Sequence, residues 1–150
     1  MAQSRETFEF LSPQWLAAVQ RIAERLLRKL DAAGVDFTVS EELTDPPAGR
    51  ARTATGTLGW FLRIRDGVVQ VGDQPLQDAH VRVVADYDTH HDLSRRVWAG
   101  DPQAIATSRK LREEAAREGR LRIEGGLAQA PDVVRQLIAE LHDPVAEITK

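Results

Sequence analysis

The chain contains no cysteine, which excludes disulfides, thiolate metal centres and a Cys nucleophile. It also lacks long apolar runs. Nothing approaches the ~20 apolar residues of a membrane-spanning helix, and the opening Met1-Ala2-Gln3-Ser4-Arg5-Glu6-Thr7 carries no stretch of signal-peptide length. The final Ile148-Thr149-Lys150 is not a peroxisomal address. A cytoplasmic protein without integral membrane contact is expected. Charge of one sign is scarce too: the formal net charge is -3, which gives no general attraction to phosphate backbones, so nucleic acid is not expected as a partner. No Gly-x-Ser-x-Gly elbow surrounds any serine, and Gly125-Gly126 lacks the pattern of a phosphate-cradling loop. Internal repeats and low-complexity tracts are absent. With 150 residues, one domain spanning 1–150 is expected, large enough to bury roughly 70% of its unfolded surface.

What the chain does have is a strongly patterned centre. In Leu58-Gly59-Trp60-Phe61-Leu62-Arg63-Ile64-Arg65, the residues Leu58, Trp60, Leu62 and Ile64 recur with period two and project from one side of an extended strand. Asp66-Gly67 tolerates positive φ at both central positions of a tight turn, so Val68 to Gly72 should return as the second arm of a hairpin. The register then sets Ile64 opposite Val69 and Leu62 opposite Val71, which keeps one face apolar across both strands.

Helices and further strands flank this hairpin. Ser12-Pro13 is a cap followed by a first-turn proline, and Trp15, Val19, Ile22, Leu26 and Leu30 then form one apolar stripe, predicting a helix from Pro13 that ends near Gly34. Leu11 and Leu16 are spaced for a hydrophobic staple. Val35, Phe37 and Val39 alternate with polar residues in a first strand, and Thr44 to Arg52, with its prolines and Gly49, reads as a mobile loop. Val81, Val83 and Ala85 mark a fourth strand. A short helix capped by Thr89 should carry Leu93, Val97 and Trp98 up to Gly100, and Asp101-Pro102 should open a long helix whose many charges leave it a narrow core contact. Leu121 and Ile123 alternate in a fifth strand, and Pro131 opens a last helix ending near His142-Asp143-Pro144. Hairpin-linked strands with helices grouped around them indicate an α+β fold: a five-stranded, mostly antiparallel sheet with helices covering one face.

Trp60, Leu62, Val83, Trp98, Ile123, Leu137 and Leu141 should converge between sheet and helices. A solid core and an apolar pocket both require these residue types, and both readings stand. His90-His91-Asp92 is the densest titratable cluster, but neighbours on a helix point ~100° apart, so no metal site is expected there. Were the cavity to host chemistry, Tyr87, His90 and His91 are the acid/base candidates. His80 reads as a strand-face residue and His142 as a favourable charge at a helix C-terminus. Arg63, Arg65, Arg82, Arg120 and Arg122 fall on the outer sheet face, where Asp36, Asp86 and Glu124 partly neutralise them.

The run Trp60 to Val71, the segment Asp78-Ala79-His80-Val81-Arg82-Val83, the short helix before Gly100 and Gly119-Arg120-Leu121-Arg122-Ile123-Glu124-Gly125 resemble, in that order, the sterol carrier protein-2 (SCP2) sterol-transfer family. The opening Phe10-Leu11-Ser12-Pro13-Gln14-Trp15 is similar to the start of its bacterial single-domain members. The resemblance spans Phe10 to Leu141 and implies an apolar tunnel between sheet and helices. It implies binding or transfer of a small apolar ligand, a fatty acyl chain, sterol or related lipid, with no cofactor and no chemistry. Two other readings stay open: an isomerase, hydratase or lyase acting on a steroid or polyketide-like substrate in the same cavity, and a ligand-free partner domain.

Overall fold

The computed structural model describes residues 5–150; Met1 to Ser4, read above for targeting signals, lie outside the described residues. The strands are β1 (Asp36–Thr44), β2 (Leu58–Arg65), β3 (Val68–Gly72), β4 (Val81–Asp86) and β5 (Leu121–Glu124), in the order β3-β2-β1-β4-β5. β1 and β4 run parallel, and every other pairing is antiparallel. The helices are α1 (Pro13–Leu27), α2 (Tyr87–Ser94), α3 (Pro102–Arg117) and α4 (Asp132–Ile148), with a single 3-10 turn at Leu127–Gln129. Among the described residues no helix is long and apolar enough to cross a membrane.

The central hairpin forms as its pattern predicts. Asp66 and Gly67 both take positive φ, 49° and 80°, the geometry whose twist matches that of the flanking strands. Ile64 pairs with Val69 and Leu62 with Val71. Ser12 caps α1 by accepting a hydrogen bond from the Trp15 amide at 3.1 Å. The helix stops at Leu27, nearly two turns short of Gly34, because Asp31 accepts from the Ala33 amide and the Leu30 amide turns back to Leu27, so the chain closes into turns and Leu30 leaves the helical stripe.

β1 is longer than its sequence pattern suggested and runs on to Thr44. It is the middle strand, bonded on both sides, and its inward residues are Phe37, Val39, Glu41 and Leu43, set beside Ile64, Leu62, Trp60 and Leu58 of β2. The loop after it is tied down, against the expectation of mobility: Arg50 Nη2 donates to the Phe10 carbonyl at 2.8 Å, and Arg52 donates to the Leu11 carbonyl. These bonds hold the strap before α1, where Leu11 is fully buried at a φ of 60° that side chains other than glycine seldom adopt.

α2 is capped by Asp86, whose Oδ2 accepts from the Thr89 amide, not by Thr89 itself. The helix ends at Ser94, and Trp98 follows it in a turn held by Asp143, which accepts from the Trp98 and Ala99 amides at 2.8 and 2.9 Å. α4 continues through Pro144 to Ile148 and does not end near it. An interior proline costs roughly 3 kcal/mol, but the last turn is anchored: Leu141 and Ala146 are buried, and Trp15 Nε1 donates to Thr149 Oγ1 at 2.8 Å. His142 is therefore inside a helix, not at its C-terminus.

Helices cover one sheet face. The outer face carries the arginines, and they are matched there: Arg82 with Glu124 at 2.5 Å, Arg122 with Glu124 at 3.1 Å, Arg65 with Asp36 at 3.6 Å and Arg120 with Asp86 at 3.5 Å. Arg63 donates to Thr38 Oγ1 and lies over the Phe61 ring.

Candidate ligand-binding site

The inward residues of β1, β2, β4 and β5 form the floor of a cavity of about 380 Å³, a volume within the ~300–1,000 Å³ of ordinary small-molecule sites. Val39, Leu62, Val81 and Val83 floor it, Trp15 and Leu93 wall it from α1 and α2, and Ile138, Leu141 and Val145 roof it from α4. Its open side lies at the β5 edge, where Ile123 is 53% exposed although it faces inward. α3 explains the opening, since it buries only Ser108 and Ala115.

One carboxylate interrupts this apolar surface. The β1 alternation drives Glu41 to the inner face, opposite Trp60 on one side and Val83 on the other. Its Oε2 accepts from Trp60 Nε1 at 2.8 Å and is in direct contact with His90 Nε2. The two side chains are only 19% and 14% exposed. Burial opposes charge on both. Mutual attraction and the hydrogen bonds outweigh it, so His90 and the Trp60 indole hold Glu41 below the usual glutamate range while Glu41 lifts His90 above the usual histidine range. The result is an ion pair set into the cavity wall. His90 Nδ1 is buried without a partner.

At the mouth, Trp98 and His142 stack at 3.3 Å, with His142 Nε2 hydrogen-bonded to the Arg96 carbonyl at 2.8 Å. Burial keeps this imidazole below its ordinary pKa, so it is neutral rather than the helix-end cation expected from sequence. Arg112 reaches over the Trp98 ring at 5.4 Å and borders the cavity; among the described residues no carboxylate pairs with it.

Of the residues singled out by periodicity, Trp60, Leu62, Val83, Trp98, Ile123 and Leu141 border the cavity. Leu137 does not: it is fully buried one turn away, in the packed cluster with Ala23, Leu27 and Ile64. Of the acid/base candidates only His90 reaches the cavity. Tyr87 is buried against Phe10, and His91 stacks on Phe10 and bonds to the Lys150 carbonyl. His90, His91 and Asp92 diverge, Asp92 turning to Arg96. His80 is not simply a strand-face residue: its Nδ1 accepts from the Thr38 amide at 3.0 Å and its ring stacks on Phe37. Sequence reasoning missed Glu41, Arg112 and Phe10. Extending the alternation Phe37, Val39 by one more step puts Glu41 on the apolar face, which is the signal for it.

The chain matches no family model and no curated protein. Solved structures do match. Sterol carrier protein 2 superposes with a TM-score of 0.56 at 18% identity, covering 93% of this chain and 99% of its own. A conserved hypothetical protein of Thermus thermophilus, described as possibly a sterol carrier protein, gives 0.54 at 16% identity, covering 100% and 96%. The sterol carrier protein domain 2 of Helicoverpa armigera gives 0.50 at 14% identity, covering 97% and 95%.

Proposed function

From the premise that this chain has the sterol carrier protein 2 fold, we propose that it is a cytoplasmic single-domain carrier. It holds a fatty acyl chain, sterol or related lipid between sheet and helices, and does no chemistry on it. The observation that carries this reading is the hollow: a cavity of about 380 Å³ lined mainly by aliphatic and aromatic side chains and open at one edge. Apolar surface buried there stabilises a complex by roughly 25 cal/mol per Å², reduced by the cost of association. An entrance beside Trp98 and Arg112 lets a chain slide in while a polar head stays near water.

Trp60 and Trp98 both border the cavity and report its filling. Titration with palmitate, with a sterol and across a broader lipid panel should give a saturable change in their fluorescence; no saturable change with any of them sinks the reading. Val83→Phe places a ring in the cavity floor. It should abolish the fluorescence response while shifting stability by no more than about 1 kcal/mol, because the added volume enters empty space and not a packed core.

The enzyme reading has one observation in its favour, the Glu41–His90 pair in the cavity wall. It is the weaker reading. Glu41 Oε2 is already shared between Trp60 and His90, and a carboxylate held below its ordinary pKa is a poor proton acceptor.

A further inference from the structure

Glu41 has a second oxygen. Both hydrogen bonds to this side chain end on Oε2, and Oε1 accepts none. Nor is Oε1 among the buried polar atoms that lack a partner, so it keeps accessible surface. β1 is the middle strand and Glu41 is on its covered side, so that surface opens into the space beneath the sheet. The floor of the cavity therefore presents an acceptor carrying carboxylate charge among apolar neighbours, and Ser94 and His142 are uncharged polar groups elsewhere in the lining. A molecule that fills the cavity displaces water from Oε1. It must then supply a donor, or the oxygen is left desolvated and unpaired.

The charges around it say which donor. His90 neutralises Glu41 within the wall, so the site has no net negative charge to attract an ammonium group, and Arg112 at the mouth adds a positive charge that repels one. A carboxylate head brings a second acceptor against Oε1 and no donor for it, and Arg112 offers it a partner elsewhere in the lining. A neutral O–H meets neither objection. We propose that Glu41 Oε1 is a specificity determinant which selects apolar ligands bearing a hydroxyl group, a sterol-like or long-chain alcohol, bound with that hydroxyl inward. The inference rests on the carrier reading above and names the ligand class for it.

The test compares 1-dodecanol with its methyl ether, 1-methoxydodecane, which has the same chain and oxygen but no donor. Binding is followed by tryptophan fluorescence on the full chain. Wild type should bind the alcohol about 10-fold more tightly or better, the range expected for a hydrogen bond to a charged, desolvated acceptor. In Glu41→Gln the preference should fall below about threefold. Because Trp60 Nε1 donates to the same carboxylate, its indole N–H resonance should shift with the alcohol and move less with the ether, a readout that needs no variant. Equal affinities in wild type overturn the inference and leave the carrier reading standing. A preference that survives in Glu41→Gln, or one unaccompanied by the Trp60 shift, overturns it by placing the hydroxyl elsewhere. Binding of neither probe, together with a silent lipid panel, removes the inference and the carrier reading alike.

Discussion

The two ends of the interlayer space are built from the same residue types and end up different. Under β3, β2 and the start of β1 the layers interlock: Phe37, Ile64 and Val69 meet Ala23 and Leu27 of α1 and Val134 and Leu137 of α4, all buried. Under β4 and β5 they stand apart, with Val83 and Ile123 facing a cavity. The difference lies in the roof. α1 has an apolar stripe that buries Trp15, Leu16, Ala18, Val19, Ala23 and Leu27, and Gln20 pins it to β3 by accepting from the Val71 amide at 2.6 Å and donating to the Val69 carbonyl at 2.8 Å. α3, over the other end, buries Ser108 and Ala115 and spends the rest of its surface on charge. A helix with so narrow an apolar face cannot descend onto the sheet without burying arginines, so the space beneath it stays open.

The widest separation between the two ends should appear in stability. Leu137→Ala removes a fully buried side chain from the interlocked end and should cost about 2–5 kcal/mol in urea denaturation, with the spread set by how far the site relaxes. Val83→Ala, at the hollow end, deletes methyl groups that already face empty space. It should cost under about 1 kcal/mol while weakening ligand binding, whereas Leu137→Ala should leave the response of the remaining folded protein intact. Equal losses at the two sites would mean that the cavity closes in solution.

Next in size is the ion pair in the cavity wall. His90→Ala strips Glu41 of its cation and should cost on the order of 2 kcal/mol near pH 5.5, below the ~3–5 kcal/mol of a fully enclosed pair because the cavity admits water. The pH dependence has a definite sign. Glu41 titrates below its ordinary 4.5, so its stabilisation is present above that value and is lost as pH falls through the lowered pKa. His90 titrates above its ordinary 6.5, so its share is complete below that value and is lost as pH rises through the raised pKa. Arg112 works against the charge on His90 and Asp86 supports it, and neither reverses the direction. The gap between wild type and His90→Ala should be widest from about pH 4.5 to 6.5 and narrow on both sides. A gap that does not change with pH would show that the pair is not charged.

How much of this was legible in the sequence follows from the same contrast. The hairpin, its register and the inward set Trp60, Leu62 and Val83 were readable because period-two alternation and Asp66-Gly67 are local signals. The narrow core contact of α3 was readable from its charges. Leu137 was misassigned because helical spacing places it on the correct face of α4 yet says nothing about which end of the interlayer space that turn reaches. Glu41 was passed over because a strand was ended where its residues became charged, although a doubly paired middle strand carries any side chain inward when its turn in the alternation comes. Pro144 was decided by a tertiary bond, Trp15 to Thr149, that local propensity does not encode, whereas the cap at Asp86 is a local three-residue bond that was assigned to Thr89 because the helix start was set three residues late.

The smallest effect tests the mouth against the floor. Arg112 is an exposed residue whose guanidinium borders the cavity and is held over Trp98 at 5.4 Å, without an ion-pair partner among the described residues. Its attraction for an anionic head is weakened by water, as for exposed ion pairs worth ~0.2–1 kcal/mol, so Arg112→Gln should lower the affinity for laurate by no more than about fivefold. The same substitution should leave 1-dodecanol nearly unaffected, since a neutral hydroxyl gains little from the guanidinium charge. Added salt should shrink the laurate difference further, because screening acts on the rim and hardly on the enclosed Glu41–His90 wall. If Arg112→Gln weakened alcohol and carboxylate equally, Arg112 would be holding the roof in place by stacking on Trp98, and the mouth would be a packing feature without charge selectivity.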